Sequence, residues 1–111
     1  MDTLMNDNNQ YPDPGVDNEM FLQDFNLWSE QWAAQLAREI GYEDLSGDQW
    51  KIIHGLRAHY AQHHHVPDMY SVCKMAGLDH FCLEKLFHNQ GADAWKIAGL
   101  PNPGEEIKAY L

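Results

Sequence analysis

Residues 46–67, SGDQWKIIHGLRAHYAQHHHVP, set the architecture of the chain. Ser46 and Gln49 stand three apart, the spacing of a capping box that opens a helix. Trp50, Ile53, Leu56 and Tyr60 then recur at intervals of three, three and four and make one apolar face. The helix is expected to run to about His64, because the residue before Pro67 resists helical angles. Outward from it the same grammar repeats. Upstream, Ser29 caps a stripe of Trp32, Ala33, Leu36, Ala37 and Ile40, which Gly41 stops. Downstream, Asp68 caps a short helix with Met69, Val72, Cys73 and Ala76, ended by Gly77. Asp79 caps the next, with Leu78 and Leu83 as a hydrophobic staple and Leu83, Leu86 and Phe87 inward. After Gly91 a short helical piece covers Ala94 to Ala98. Pro101 and Pro103 forbid helix beyond Gly99, so an extended arm is expected there. Nothing after Phe21 alternates as a strand would.

These elements account for one domain. The chain has 111 residues, 44% of them hydrophobic, enough for a core without staples. The expected organisation is a flexible acidic arm over residues 1–20, a helical domain over 21–99, and an extended C-terminal arm over 100–111. The N-terminal arm follows from composition: Asn, Asp, Pro and Gly dominate it, and seven acidic residues precede the first basic one, Arg38.

Charge and composition narrow the function. The formal net charge is −10, which opposes non-specific binding to nucleic acid or anionic lipid. Apolar runs are too short for a membrane span. The first residues have no basic, apolar leader pattern, so a cytoplasmic protein is expected. Cys73 and Cys82 are nine apart, which matches no CxxC redox or zinc spacing, and they read as buried small apolar residues.

Three constellations invite a sharper reading. The two short helices around Gly77 fit a helix-turn-helix, with His80, Phe81, Glu84, Lys85 and His88 facing outward. That face offers one Lys beside one Glu and no Arg, Asn or Gln for base edges, so two core helices joined by a tight turn is the stronger reading. His59 and His63, four apart, could share a metal. No HExxH or spaced carboxylate accompanies them, so His63-His64-His65 reads as a solvated helix end and no metal or other cofactor is expected. No nucleophile elbow, P-loop or dinucleotide fingerprint occurs.

In order, these landmarks resemble the DsrC/TusE family of small sulfur-relay proteins. Asp17-Asn18-Glu19-Met20-Phe21-Leu22 is similar to the family's "D-x-x-G-[FY]-L", and Trp28-Ser29-Glu30 follows, then Leu36-Ala37. Leu45-Ser46, Trp50 and Leu56-Arg57-Ala58-His59-Tyr60 resemble its "W-x-x-[IV]-x-x-[IVL]-R-x-x-Y", with Pro67 seven later. Lys96-Ile97-Ala98-Gly99-Leu100-Pro101-Asn102-Pro103 is close to "K-[IV]-A-G-L-P-x-P". The resemblance spans residues 16 to 106. It implies a mainly α (α+β in the family) bundle of about five helices with a helix-turn-helix-like pair, an N-terminal hairpin and a C-terminal arm. Here Pro12, Pro14 and Gly15 make that hairpin degenerate.

Family members carry sulfur as a persulfide on a penultimate arm cysteine, and some have a second cysteine eleven residues earlier. Those positions are Glu106 and Trp95 in this chain, and the tail continues to Leu111. A carboxylate cannot hold sulfane sulfur. The resemblance therefore implies a non-catalytic, partner-binding member, docking a sulfur-relay or sulfite-reductase partner through Trp95, Lys96, Gly99, Leu100, Pro101, Pro103 and Glu106. Two alternatives stand beside it: a divergent sulfurtransferase working through Cys73 or Cys82, and DNA binding through the helix pair, which the charge opposes.

Overall fold

A computed structural model describes residues 15–111. Six α-helices follow one another: α1 Glu30–Glu39, α2 Gly47–His63, α3 Met69–Met75, α4 Cys82–Leu86, α5 Gln90–Ile97 and α6 Glu105–Lys108. A single 3-10 turn, Phe25–Leu27, precedes them. Among the described residues no strand forms, and the fold is mainly helical, as expected.

The caps of α1, α2 and α3 are where sequence chemistry places them. Ser29 Oγ accepts from Trp32 N at 3.0 Å to open α1, and the Ser46–Gln49 box is complete at the start of α2. Gln49 also reaches outward, its amide donating to the Leu86 carbonyl at 2.6 Å, so one residue opens α2 and holds the end of α4. Helices α1, α3 and α5 stop by one device. Gly41, Gly77 and Gly99 take left-handed angles, and the next N–H returns to a carbonyl five residues back.

Helix α2, the longest, packs against α5 and against α3, and α5 also meets α1 and α4. Two neighbours need a wider apolar arc than one stripe supplies. Ile53 and Leu56 are fully buried as expected, and so is Ile52, whereas Trp50 and Tyr60 are half-buried. The core also takes in Phe21, Leu22, Trp95, Ile97 and Leu100, residues from both ends of the described chain.

Several expected boundaries move. Helix α4 starts at Cys82 rather than just after Asp79, because the Asp79 carboxylate turns to Phe81 N at 2.7 Å and makes a turn of residues 79–81 first. Helix α5 begins at Gln90, four residues before the expected Ala94. Gly91 lies inside it, and a Cβ there would stand 2.9 Å from the Leu111 carbonyl oxygen, so this glycine serves close packing rather than helix termination.

Both arms also differ from expectation. Of the arm expected over 1–20, residues 1–14 lie outside the described residues, as do Pro12 and Pro14. Residues 15–20 are held: Gln23 N donates to the Gly15 carbonyl at 2.7 Å, Asp17 N to the Phe21 carbonyl at 2.9 Å, and Val16 bridges Leu22. This is a single-bridge hairpin, turned at Met20, whose φ is +72. The arm over 100–111 is extended only to Gly104. The one-turn helix α6 follows, where Glu105 and Glu106 suit an N-terminus and Lys108 the last turn.

Candidate functional site

The C-terminal arm leaves the body at the end of α5, and its root is built into the core. Trp95 is 1% exposed. Its indole N–H donates to the Pro101 carbonyl at 2.7 Å, and its ring stands edge-on to Tyr60 at 6.0 Å. The bond bends the chain back over its own helix, so residues 95–101 form a closed loop. Leu100 is fully buried inside that loop.

Trp28 and Arg57 grip the same loop from the other side. The Trp28 indole donates to the Ile97 carbonyl at 2.8 Å. Arg57 donates to the Ala98 carbonyl at 3.0 Å and to the Phe25 carbonyl at 3.1 Å, and its guanidinium lies 3.9 Å over the Phe25 ring and 4.2 Å over Trp28. Burial pushes its pKa down to about 10, so the group stays charged at neutral pH. Arg57 therefore ties α2, the 3-10 turn and the arm root together. Gly99 completes the arrangement. Its φ is +70, and a Cβ would fall 2.2 Å from Trp28 Cδ1.

The outer arm is held differently. Asn102 donates to Asp17 at 3.3 Å and accepts from Gly104 N at 2.9 Å. Burial pushes the Asp17 carboxyl up, but hydrogen bonds from Phe21 N, Glu19 N and Asn102 outweigh it, so its pKa is lowered. Lys108 bonds Glu19 across the chain and Glu105 within α6 at 2.9 Å, and these bonds raise its pKa. A cleft of about 350 Å³ runs between the arm and the end of α2, lined by Tyr60, His65, Trp95, Pro101, Pro103 and Ile107 among others.

The residues expected to meet a partner thus divide. Trp95, Gly99 and Leu100 are buried, Lys96, Pro101 and Pro103 are half-buried, and Glu106 is exposed on α6. Lys96 lies 5.2 Å over the Phe21 ring. Asp17, Trp28, Asn102 and Lys108 complete the arrangement although sequence reasoning did not assign them to it. For Arg57 a signal existed: a lone arginine among the apolar residues of α2 needs carbonyl or aromatic partners.

Cys73 and Cys82 are both buried, as expected, but they are not free thiols. Their sulfurs are joined, with Cα atoms 5.7 Å apart, and the bond staples α3 to α4. A separation of nine residues across the Gly77 turn brings the two helices face to face. This corrects the reading of each as an isolated apolar residue and as a thiol candidate.

His80, Phe81, Glu84, Lys85 and His88, the outward face of that pair, are all exposed. Lys85 is bonded to Asp79 at 3.1 Å. That bond occupies the one lysine of the face, which opposes docking to DNA phosphates. Behind this face, Tyr42 donates to the buried Asp93 at 2.6 Å and accepts from His88 N at 2.6 Å. Burial and Asp93 raise the phenol's pKa, so the pair is a structural tie between the end of α1 and α5.

Comparison with known proteins agrees with this fold and with this ordering of landmarks. A family profile described as DsrC like protein matches residues 9–107. The gamma subunit of dissimilatory-type sulfite reductase from Nitratidesulfovibrio vulgaris is 33% identical over 89 residues, covering 79% of this chain and 85% of that one. The sulfurtransferase TusE of Sodalis glossinidius is 33% identical over 96 residues, with 79% and 88% covered. The crystal structure of the oxidized gamma subunit of the Archaeoglobus fulgidus dissimilatory sulfite reductase, DsrC, superposes with a TM-score of 0.70 at 29% identity, over 81% of this chain and 89% of that one. With the matched region taking in the hairpin, the helical body and the arm root alike, the chain belongs to the DsrC-like family.

Proposed function

We propose that this chain is a non-catalytic member of its sulfur-relay family, a module that occupies the family's protein partners without passing sulfur to them. The observation that carries the reading is the state of the thiols. The chain has two cysteines, both are buried, and each is bonded to the other. Persulfide chemistry needs an accessible thiolate. At the positions the family resemblance assigns to its arm cysteines stand Trp95, whose indole is committed to Pro101, and Glu106. The divergent-sulfurtransferase alternative loses support for the same reason.

The partner would be a sulfur-relay or sulfite-reductase protein that recognises a DsrC-like arm. The exposed tip, with Glu105 and Glu106 adjacent, would present an anionic end where a carrier presents a thiol. Competition tests this. The full chain should displace a cysteine-bearing family member from its partner in a dose-dependent pull-down, and Glu105→Lys with Glu106→Lys should weaken the displacement. No displacement at a large molar excess would sink the reading.

A further inference from the structure

We propose that the cleft between α3 and α4 is a docking site for a protein partner, and that its occupant is an arginine side chain. The cleft has a volume of about 430 Å³, the size of an ordinary ligand pocket. Tyr70 of α3, His80 across the Gly77 turn, Glu84 of α4 and Tyr110 beyond α6 are among the residues that line it.

Two features set the chemistry of the occupant. The first is the sign of the charge. Asp68 and Glu84 line the cleft, and among the described residues no lysine or arginine does. The nearby lysines are engaged elsewhere: Lys85 lies 3.1 Å from Asp79, and Lys108 is bonded to Glu19 and Glu105. Lys74 lines a neighbouring cleft that shares only Tyr70 and His80 with this one. Asp68 is already used to cap α3, whereas Glu84 pairs with no cation among the described residues. A cation entering here meets carboxylates without displacing a base.

The second feature is aromatic. Tyr70 and His80 stack with ring centres 4.1 Å apart and planes within 9°. Tyr70 is 48% exposed and Tyr110 78%. The Cys73–Cys82 bond fixes the two helices behind these rings, so the walls stand ready before a partner arrives. A guanidinium answers both features, because its plane lies on aromatic rings while its fork bonds a carboxylate. The chain receives its own Arg57 on rings in this way, 3.9 Å over Phe25 and 4.2 Å over Trp28. Docking in this cleft needs nothing from Glu105 or Glu106, so it stands apart from the role of the arm tip.

NMR shift mapping on the full chain at pH 7.5 tests this, with acetyl-Gly-Arg-Gly-amide as the probe. The same peptide with citrulline, a neutral isostere, or with lysine in place of arginine serves as control. Saturable shifts at the amides of Tyr70, His80, Glu84 and Tyr110 are expected with arginine, and binding at least about fivefold weaker with citrulline. Glu84→Gln should weaken arginine binding about three- to fivefold, the scale of a partly exposed ion pair. Tyr70→Ala should lose at least about threefold, and Tyr70→Phe, which keeps the ring, should restore most of it. Glu43→Gln, an exposed acid outside the cleft, should leave binding as it was. Absence of saturable shifts would overturn the proposal. So would equal losses for Glu84→Gln and Glu43→Gln, which would mean general attraction of cations to a chain of net charge −10. Equal binding of the citrulline or the lysine peptide would overturn the assignment to arginine.

Discussion

The arm's root, residues 95–101, and its tip, residues 105–111, are close in sequence, yet they are held by different physics. At the root, Trp95 and Leu100 are buried, Gly99 is keyed into Trp28, and Arg57 binds the Ala98 carbonyl. At the tip, α6 buries no residue and is tied to the body by the Lys108–Glu19 ion pair, with the Asn102–Asp17 contact before it and the Leu111 backbone against Gly91 after it. Burial at the root replaces water with packed apolar surface and paired carbonyls, so loss of one partner leaves a cavity or an orphan. Solvated ion pairs at the tip are screened and cost side-chain entropy. The root should therefore share the stability of the core, and the tip should move without disturbing it.

The largest effect expected is from Trp95→Ala, which removes a buried indole and leaves the Pro101 carbonyl unpaired, at a cost of about 3–5 kcal/mol. Chemical denaturation measures it; a loss below about 1 kcal/mol would mean the root is not core. Gly99→Ala comes next, at about 2–4 kcal/mol, because it combines a positive φ with a collision against Trp28. A melting temperature unchanged from the parent would contradict the keyed geometry. At the tip, Lys108→Ala should leave the unfolding transition nearly where it was. Amide exchange should nonetheless quicken over residues 105–111 and stay unchanged over 95–100, and high salt should reproduce that pattern. Equal quickening at both ends would erase the distinction between root and tip.

The smallest effect is a pH dependence. The lowered pKa of Asp17 means that its contribution is fully present above the ordinary carboxylate value of about 3.9 and is lost as pH falls through the lowered one. Proton NMR of the Asn102 side-chain amide should therefore be steady at neutral pH and shift only in strong acid. In Asp17→Asn that shift should disappear.

What the sequence made legible is local. The caps at Ser29, Ser46 with Gln49 and Asp68, and the glycine stops at Gly41, Gly77 and Gly99, depend on residues within one turn and could be read without coordinates. The contacts that position the site span long stretches of chain. Tyr42 reaches Asp93, Arg57 reaches Ala98 and Phe25, and Asn102 reaches Asp17, and no short-range pattern announces such pairs. Gly91 shows a subtler failure. A glycine after the polar His88-Asn89-Gln90 reads as a break between helices by its propensity, and here the same missing side chain makes room for the Leu111 backbone. The cysteines fail likewise: a spacing of nine is uninformative until a tight turn at Gly77 folds two helices together. The family resemblance succeeded where pairwise reasoning could not, because Arg57, Gly99 and Pro101 are ordered landmarks even before their contacts are known.

The central claim is that this chain does not carry sulfur, and sulfur loading tests it directly. The native full chain is incubated with a persulfide-charged sulfurtransferase, and its intact mass is then recorded without reductant. The mass should be unchanged, with both cysteines still refractory to alkylation. In Glu106→Cys, one added thiol at the exposed tip should take up a single sulfur. A one-sulfur gain in the parent chain that is lost in Cys73→Ala or Cys82→Ala would contradict the account.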